Sequence, residues 1–264
     1  MTTDLQTRLD FAVNVAREAS ALILRYYRNA DLAVEIKGDL TPVTAADRGA
    51  EELIRKRIAE TFDGDGVLGE EFGDTPSKNG YRWILDPVDG TKPFVAGVPL
   101  FGTLIGLEYE NRIVAGVCRF PALDEVVYAA EGMGCWWQLG TEAPRRAQVS
   151  QVSQLSKATF CVTDVKGWRS IDRFDAFETL CDAAWICRGW GDCYGHCLVA
   201  TGRAEVMVDP AMNPWDAAAL VPIVQEAGGH FVSWKGEPSA FAGSGVSVNA
   251  ALKDEVLKIL KPRG

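Results

Sequence analysis

The sequence contains no stretch approaching the roughly 18 consecutive apolar residues that a membrane helix needs, which argues against a spanning helix. Its start, Met1-Thr2-Thr3-Asp4, lacks the basic-then-apolar order of a signal peptide, and the expected location is the cytoplasm. No run is rich in Lys and Arg, and the formal net charge is -9, so the electrostatic footprint of a general nucleic-acid binder is missing. Internal repeats, low-complexity segments and linkers are absent as well. An acidic chain of this kind can still bind a single phosphate if metal ions, a local Lys or Arg, or oriented backbone N–H groups reverse the local field.

What is present is 264 residues, 47% hydrophobic and 24% charged, enough for one large globular domain or two tightly joined halves. The seven cysteines (118, 135, 161, 181, 187, 193 and 197) are odd in number, which fits reduced, mostly buried thiols better than a disulfide framework. Leu5, Leu9, Ala12, Val13, Ala16, Ala19, Ile23 and Tyr27 follow the spacing of an amphipathic helix. A second helix carries Leu53, Ile54, Ile58 and Phe62 after a Thr44-x-x-Asp47 start signal. Residues 37–42 between them read as a loop. Residues 81–139 hold five β-rich runs, separated by turn signals at Glu110-Asn111, Pro121 and Gly132-Met133-Gly134, and read as an antiparallel meander. From about residue 158 strands and helices alternate: strands at 159–163, 185–188, 204–208 and 230–234, helices at 171–184, 193–201 and 214–227.

The sharpest segment is Trp83-Ile84-Leu85-Asp86-Pro87-Val88-Asp89-Gly90-Thr91. An apolar strand runs into two carboxylates three residues apart and then into Gly-Thr and a helical turn, so both acids emerge at a strand's end beside free N–H groups that bind phosphate oxygens. Hard cations such as Mg²⁺ take oxygen ligands, commonly one or two carboxylates completed by water and substrate phosphate. Further acids arrive in Gly69-Glu70-Glu71 and in Asn213-Pro214-Trp215-Asp216, where Asn213 suits a cap and Pro214 the first helical position. Considered alone, Asp216 is equally well a favourable charge near a helix N-terminus, and Asp47 equally well a capping-box acid.

Gly69-Glu70-Glu71, Asp86-Pro87-Val88-Asp89-Gly90-Thr91, and Trp215-Asp216 with the small-residue helix ending Glu226-Ala227-Gly228-Gly229 resemble the signature motifs of the inositol monophosphatase family, in its order and at its approximate spacing. The resemblance covers nearly the whole chain. It implies an α/β fold, a layered α-β-α-β-α sandwich, with an antiparallel sheet half at residues 1–150 and an α/β half at 151–264. It implies a magnesium-dependent phosphatase that hydrolyses a small phosphate monoester with metal-activated water, using two or three Mg²⁺ ions. Glu70, Asp86 and the Val88 carbonyl would hold one ion, and Asp86, Asp89 and Asp216 another. Asp47 would pair with Thr91 to orient the attacking water, with Glu70 sharing in its deprotonation, while the Gly90 and Thr91 N–H groups steady the phosphate. Lithium sensitivity and a homodimer follow from the same resemblance. A lysine near Lys37 often faces the site in the family, but a loop lysine is as readily solvated.

Within the family the chain looks most like the histidinol-phosphate phosphatase subgroup, which serves histidine biosynthesis. Gly69 to Gly73, the Thr91-Lys92-x-Phe94-x-x-Gly97-Val98-Pro99 extension and Arg188-Gly189-Trp190-Gly191-Asp192 carry that likeness, and Pro93, where Asn is usual, departs from it. A substrate bearing an ammonium and an imidazole wants an acidic pocket, which makes Asp192 and Asp209 candidate substrate residues, and the subgroup likeness adds Arg188 to them. Inositol phosphate and other sugar or nucleotide phosphates stay open, because carboxylates also bind hydroxyls, and a helix cap accounts for Asp192 as well. A metal-dependent phosphate sensor without turnover is the non-enzymatic alternative. The cysteine-x₅-arginine pattern at Cys197–Arg203 lies in the wrong order, helix before strand, for thiol phosphatase chemistry. Cys193, His196 and Cys197 lack a second ligand pair at zinc-finger spacing. An aspartyl-phosphate mechanism wants aspartates two residues apart, and Asp86 and Asp89 are three apart.

Overall fold

The computed structural model describes residues 2–29, 34–36 and 42–261. The loop expected at 37–42, and Lys37 with it, lies outside these residues except for Pro42, which begins a strand. The N-terminal part runs α1 (Thr2–Ile23), β1 (Val34–Ile36), β2 (Pro42–Thr44), α2 (Ala45–Thr61), β3 (Gly66–Gly69), β4 (Gly73–Thr75), β5 (Tyr81–Asp89), α3 (Thr91–Val95), β6 (Gly102–Tyr109), β7 (Arg112–Phe120), β8 (Glu125–Ala130), β9 (Gly134–Leu139) and β10 (Arg145–Arg146). After it come β11 (Thr159–Val162), α4 (Val165–Ser170), α5 (Phe174–Ala183), β12 (Ile186–Arg188), α6 (Asp192–Ala200), β13 (Val206–Asp209), α7 (Pro214–Ala217), α8 (Leu220–Glu226), β14 (His230–Val232), β15 (Gly245–Val248) and α9 (Lys253–Leu260).

Two large sheets organise these elements, and β1 and β2 pair apart from them as a two-stranded antiparallel ribbon. The larger has the order β10-β9-β8-β7-β6-β5-β3-β4 and is antiparallel except where β3 runs parallel to β5. The smaller has the order β12-β11-β13-β15-β14, with β12, β11 and β13 parallel and β15 antiparallel to both its neighbours. Alternate side chains of one strand feed opposite faces. Trp83 and Leu85 enter a core with Leu9, Ala16, Ile54 and Ile58 of α1 and α2, whereas Ile84 enters the core between the sheets with Cys197, Val199, Leu220 and Ile223 of α6 and α8. Likewise Met207 faces inward while Val206 and Val208 meet Trp168, Leu180, Val256 and Leu260 of α4, α5 and α9. Three cores around two sheets make the α-β-α-β-α sandwich.

The meander forms as expected, with Glu110 and Asn111 both at positive φ (49° and 63°) in the two-residue turn between β6 and β7. The helix predicted over 171–184 forms as the single helix α5, which starts only at Phe174 because Asp172, with φ 54°, turns the chain between it and the preceding α4, a helix the sequence pattern does not announce. The helix predicted over 214–227 divides into α7 and α8. Glycine decides how closely that pair sits on the large sheet. Gly106 and Gly116 are cross-strand partners; a Cβ on Gly106 would stand 2.7 Å from the Ala218 Cβ, and one on Gly116 would collide with the Ala219 carbonyl. Five of the seven thiols are buried, and Cys181 and Cys187 are half-buried.

Candidate active site

Glu70 and Asp86 meet because β3 and β5 are parallel neighbours whose carboxyl ends coincide: Gly69 pairs with Leu85, and the Glu70 N–H donates to the Leu85 carbonyl at 3.2 Å. Asp86 and Asp89 present a separate problem, since residues three apart in an unbroken strand face opposite sides. A bulge resolves it. Asp86 pairs with Leu104 and Asp89 with Gly102, so β5 carries one residue more than β6 across this interval. Asp216 comes from the first turn of α7, which the glycine-lined seat sets against the end of β5. Carboxylate oxygens of Asp86, Asp89 and Asp216 lie within 4.8 Å of one another.

Each acid is held by its surroundings. The Val88 N–H donates to Asp86 Oδ1 at 3.0 Å, the Cys193 N–H at the start of α6 to Asp89 Oδ2 at 2.6 Å, and the Asn213 N–H to Asp216 Oδ2 at 2.7 Å. Asp47 caps α2 and also faces Thr91. Its Oδ2 closes the capping box of α2, accepting from the Thr44 N–H at 2.8 Å and the Thr44 hydroxyl at 2.6 Å, while Oδ1 faces the Thr91 hydroxyl at 3.4 Å. That hydroxyl also lies 3.1 Å from the Val88 carbonyl. Gly90, with φ 80°, turns the chain from β5 into α3.

The cluster borders a cavity of about 830 Å³. Glu70, Asp86, Asp89, Asp216 and the Val88, Gly90 and Thr91 segment form one side; Asp192 and Asp209 line it from α6 and the end of β13. Asp47 lies behind this lining, almost fully buried. Arg188 is not among the lining residues: at the end of edge strand β12 its exposed guanidinium donates to the Cys187 carbonyl, and the neighbouring Gly189 borders the cavity instead. Sequence reading assigns nothing to Lys92 and Lys166, the cations of the lining, although Lys92 directly follows Thr91. It also passes over Glu51 of α2, fully buried, which accepts the Glu71 N–H at 2.8 Å and the Phe72 N–H at 3.2 Å and so fixes the turn after Glu70. The detectable signal was an acid four residues before Arg55, its ion-pair partner at 2.7 Å.

Packing these acids together has an electrostatic cost. Burial first, then Glu70, Asp89 and Asp216, pushes the Asp86 carboxyl well above the usual range; burial, Asp192 and Asp216 do the same to Asp89. Asp216 is pushed up to about 6, mainly by burial, with the Asn213 N–H opposing the shift. Asp192 reaches about 7 through burial and the nearby Asp209, against the pull of Lys92. Asp47 is raised by burial, and its Thr44 hydrogen bonds oppose this.

Crowded, all-oxygen donors, Asp86 buried and Asp89 and Asp216 partly so, fit a hard divalent cation, which would remove the repulsion, and Mg²⁺ suits them. The sign of the linkage gives a prediction. A carboxyl raised in the folded state favours folding while it is protonated, and that advantage is lost as pH rises through the folded value, near 6 for Asp216. Mg²⁺ binds the ionised acids, so the rise in Tm on adding saturating Mg²⁺ should be larger at about pH 8 than at about pH 5. Differential scanning calorimetry at the two pH values measures this, and equal rises would count against a carboxylate metal site.

The family model described as the inositol monophosphatase family matches residues 4–263. The chain belongs to the inositol monophosphatase family. It is 46% identical to a histidinol-phosphatase of Chlorobaculum parvum over 96% of this chain and 94% of that protein. It is 39% identical to a histidinol-phosphatase of Mycobacterium tuberculosis, over 94% and 96% respectively. Among solved structures, an IMPase of Thermotoga maritima superposes with a TM-score of 0.86 at 29% identity, covering 96% of each chain.

Proposed function

We propose that this phosphoric monoester hydrolase acts on histidinol phosphate, releasing histidinol and inorganic phosphate, with Mg²⁺ as its cofactor. The observation that carries the reading is a second pair of carboxylates, Asp192 and Asp209, on the cavity that holds the Asp86, Asp89 and Asp216 cluster. A substrate with a phosphate at one end and an ammonium at the other suits these two acidic regions. The histidinol-phosphatases at 46% and 39% identity support the choice of ester.

Glu70, Asp86 and the Val88 carbonyl would hold one Mg²⁺, and Asp86, Asp89 and Asp216 a second. Bound there, the ions would supply Lewis-acid polarisation of the phosphoryl group and charge neutralisation at the leaving oxygen. Positioning falls to the chain itself. Thr91 stands between Asp47 and the Val88 carbonyl, where its hydroxyl can orient water and relay a proton toward Asp47 Oδ1, with Glu70 on the lining of the same cavity. Gly90 and Thr91, entering α3, offer backbone N–H groups to the phosphate, and Lys92 adds a positive charge. Residues 1–150 in this reading supply the phosphate end of the site, and 151–264 supply Asp216 and the substrate side. No helix among the described residues is long and apolar enough to cross a membrane. A lithium-sensitive homodimer is the working form that the family resemblance supports.

A panel of esters tests the reading. Phosphate release in Mg²⁺ should give a higher kcat/KM for histidinol phosphate than for inositol 1-phosphate, fructose 1,6-bisphosphate or glycerol phosphate. A clear preference for inositol 1-phosphate or the bisphosphate would move the assignment to the activities named for a 30%-identical Thermotoga maritima relative.

A further inference from the structure

Ser247 lies within β15, an interior strand paired on both sides, and is fully buried. A hydroxyl in that place needs a partner. It finds one in α6: Ser247 Oγ is 2.7 Å from Nδ1 of His196, another residue with no exposed surface. The other ring nitrogen, Nε2, is 3.2 Å from Oδ2 of Asp209, and Asp209 borders the cavity. A carboxylate can only accept, so opposite an ionised Asp209 it is Nε2 that donates; in a neutral ring Nδ1 is then the acceptor and the Ser247 hydroxyl its donor. In the neutral ring this arrangement satisfies Ser247 and both ring nitrogens without placing an imidazolium in the core.

We propose that His196 is a positioning residue for Asp209, holding Oδ2 from behind so that Oδ1 stays available to the cationic end of the substrate. The ring's neutrality matters. A Lys or Arg in its place would fix the carboxylate but cancel the charge that a cation must meet, whereas a neutral imidazole fixes it and leaves the charge in place. The same helix sets the spacing of both substrate-side acids. Asp192 and His196 are four residues apart on α6, so one rigid turn presents the first carboxylate directly and locates the second through the ring. Phe231, its ring centroid 5.7 Å from that of His196, restricts the imidazole from the side of β14.

The role rests on the reading of histidinol phosphate as substrate, and two measurements separate the two. His196→Phe keeps the ring's bulk and removes both hydrogen bonds. The Mg²⁺-loaded variant should show a KM for histidinol phosphate raised at least about tenfold, as for loss of one hydrogen bond to a charged group, with kcat and the glycerol phosphate rate within about twofold of wild type. His196→Gln, whose amide N–H can stand where Nε2 does, should recover most of that KM. If H196F does not fold, Ser247→Ala should give a smaller rise in KM with the same selectivity. Independently of any substrate, ¹⁵N NMR of the wild-type protein, which has two histidines, should show His196 as the neutral Nε2–H tautomer. An Nδ1–H tautomer, or equal loss of both esters in H196F from a selective wild type, would overturn the role alone. A wild type indifferent to the substrate's cation would overturn the substrate reading and the role with it.

Discussion

Asp86→Asn should yield a folded protein with turnover reduced on the order of 10³-fold or more, because a single lost donor to transition-state charge already costs about 10²–10³. Asp86 is the acid proposed to touch both ions, and Glu70, Asp89 and Asp216 all act on its charge. The fold should tolerate the change, since Asn keeps an oxygen for the Val88 N–H and replaces an acid whose ionisation burial and its acidic neighbours already oppose. The metal-free variant should therefore melt no lower than metal-free wild type, while its gain in Tm from Mg²⁺ shrinks. Phosphate release and calorimetry on the same preparation separate these effects. Near-wild-type turnover in saturating Mg²⁺ would remove Asp86 from the site.

Asp192→Asn should lower kcat/KM for histidinol phosphate while sparing neutral esters. Asp192 begins α6 in the left-handed region, with φ 53°, its N–H donating to the Thr163 hydroxyl at 2.7 Å. Asn tolerates that backbone well, so the substitution tests charge more than folding. Leaving a substrate ammonium without its counter-charge costs roughly 2–5 kcal/mol by analogy with truncated buried charge pairs, at least about 30-fold in kcat/KM. Glycerol phosphate makes no ammonium contact and should keep most of its rate. Asp89 complicates the comparison, since Asp192 contributes to its raised pKa. Damage transmitted to the metal cluster would lower every ester alike, and that outcome would remove Asp192 from substrate recognition.

The acids of the cluster were legible because each sits in a local context that survives without tertiary information: an apolar strand before Asp86, a short apolar run before Glu70, and Asn-Pro before Asp216. What brings them together was not legible. The bulge between Asp86 and Asp89 depends on the register of β6, and the seat for α7 depends on two glycines facing each other across β6 and β7. Neither leaves a signal in its own strand. Strand β15, four residues with a serine in the middle, lacks the apolar run expected of a central strand, because His196 satisfies that serine from another element. Arg188 was expected from its neighbours in the motif, and the direction of a side chain at the end of an edge strand is set by tertiary contacts that the motif does not contain.

The central claim, that this carboxylate cluster turns over histidinol phosphate only with its metal, is tested most directly by phosphate release from that ester by protein stripped with a chelator and then restored with Mg²⁺. The account predicts no release above background from the stripped protein and multiple turnovers once Mg²⁺ returns. Saturable binding of the ester without release of phosphate in Mg²⁺ would contradict it and leave a metal-dependent sensor in its place, and undiminished release after stripping would contradict the metal site itself.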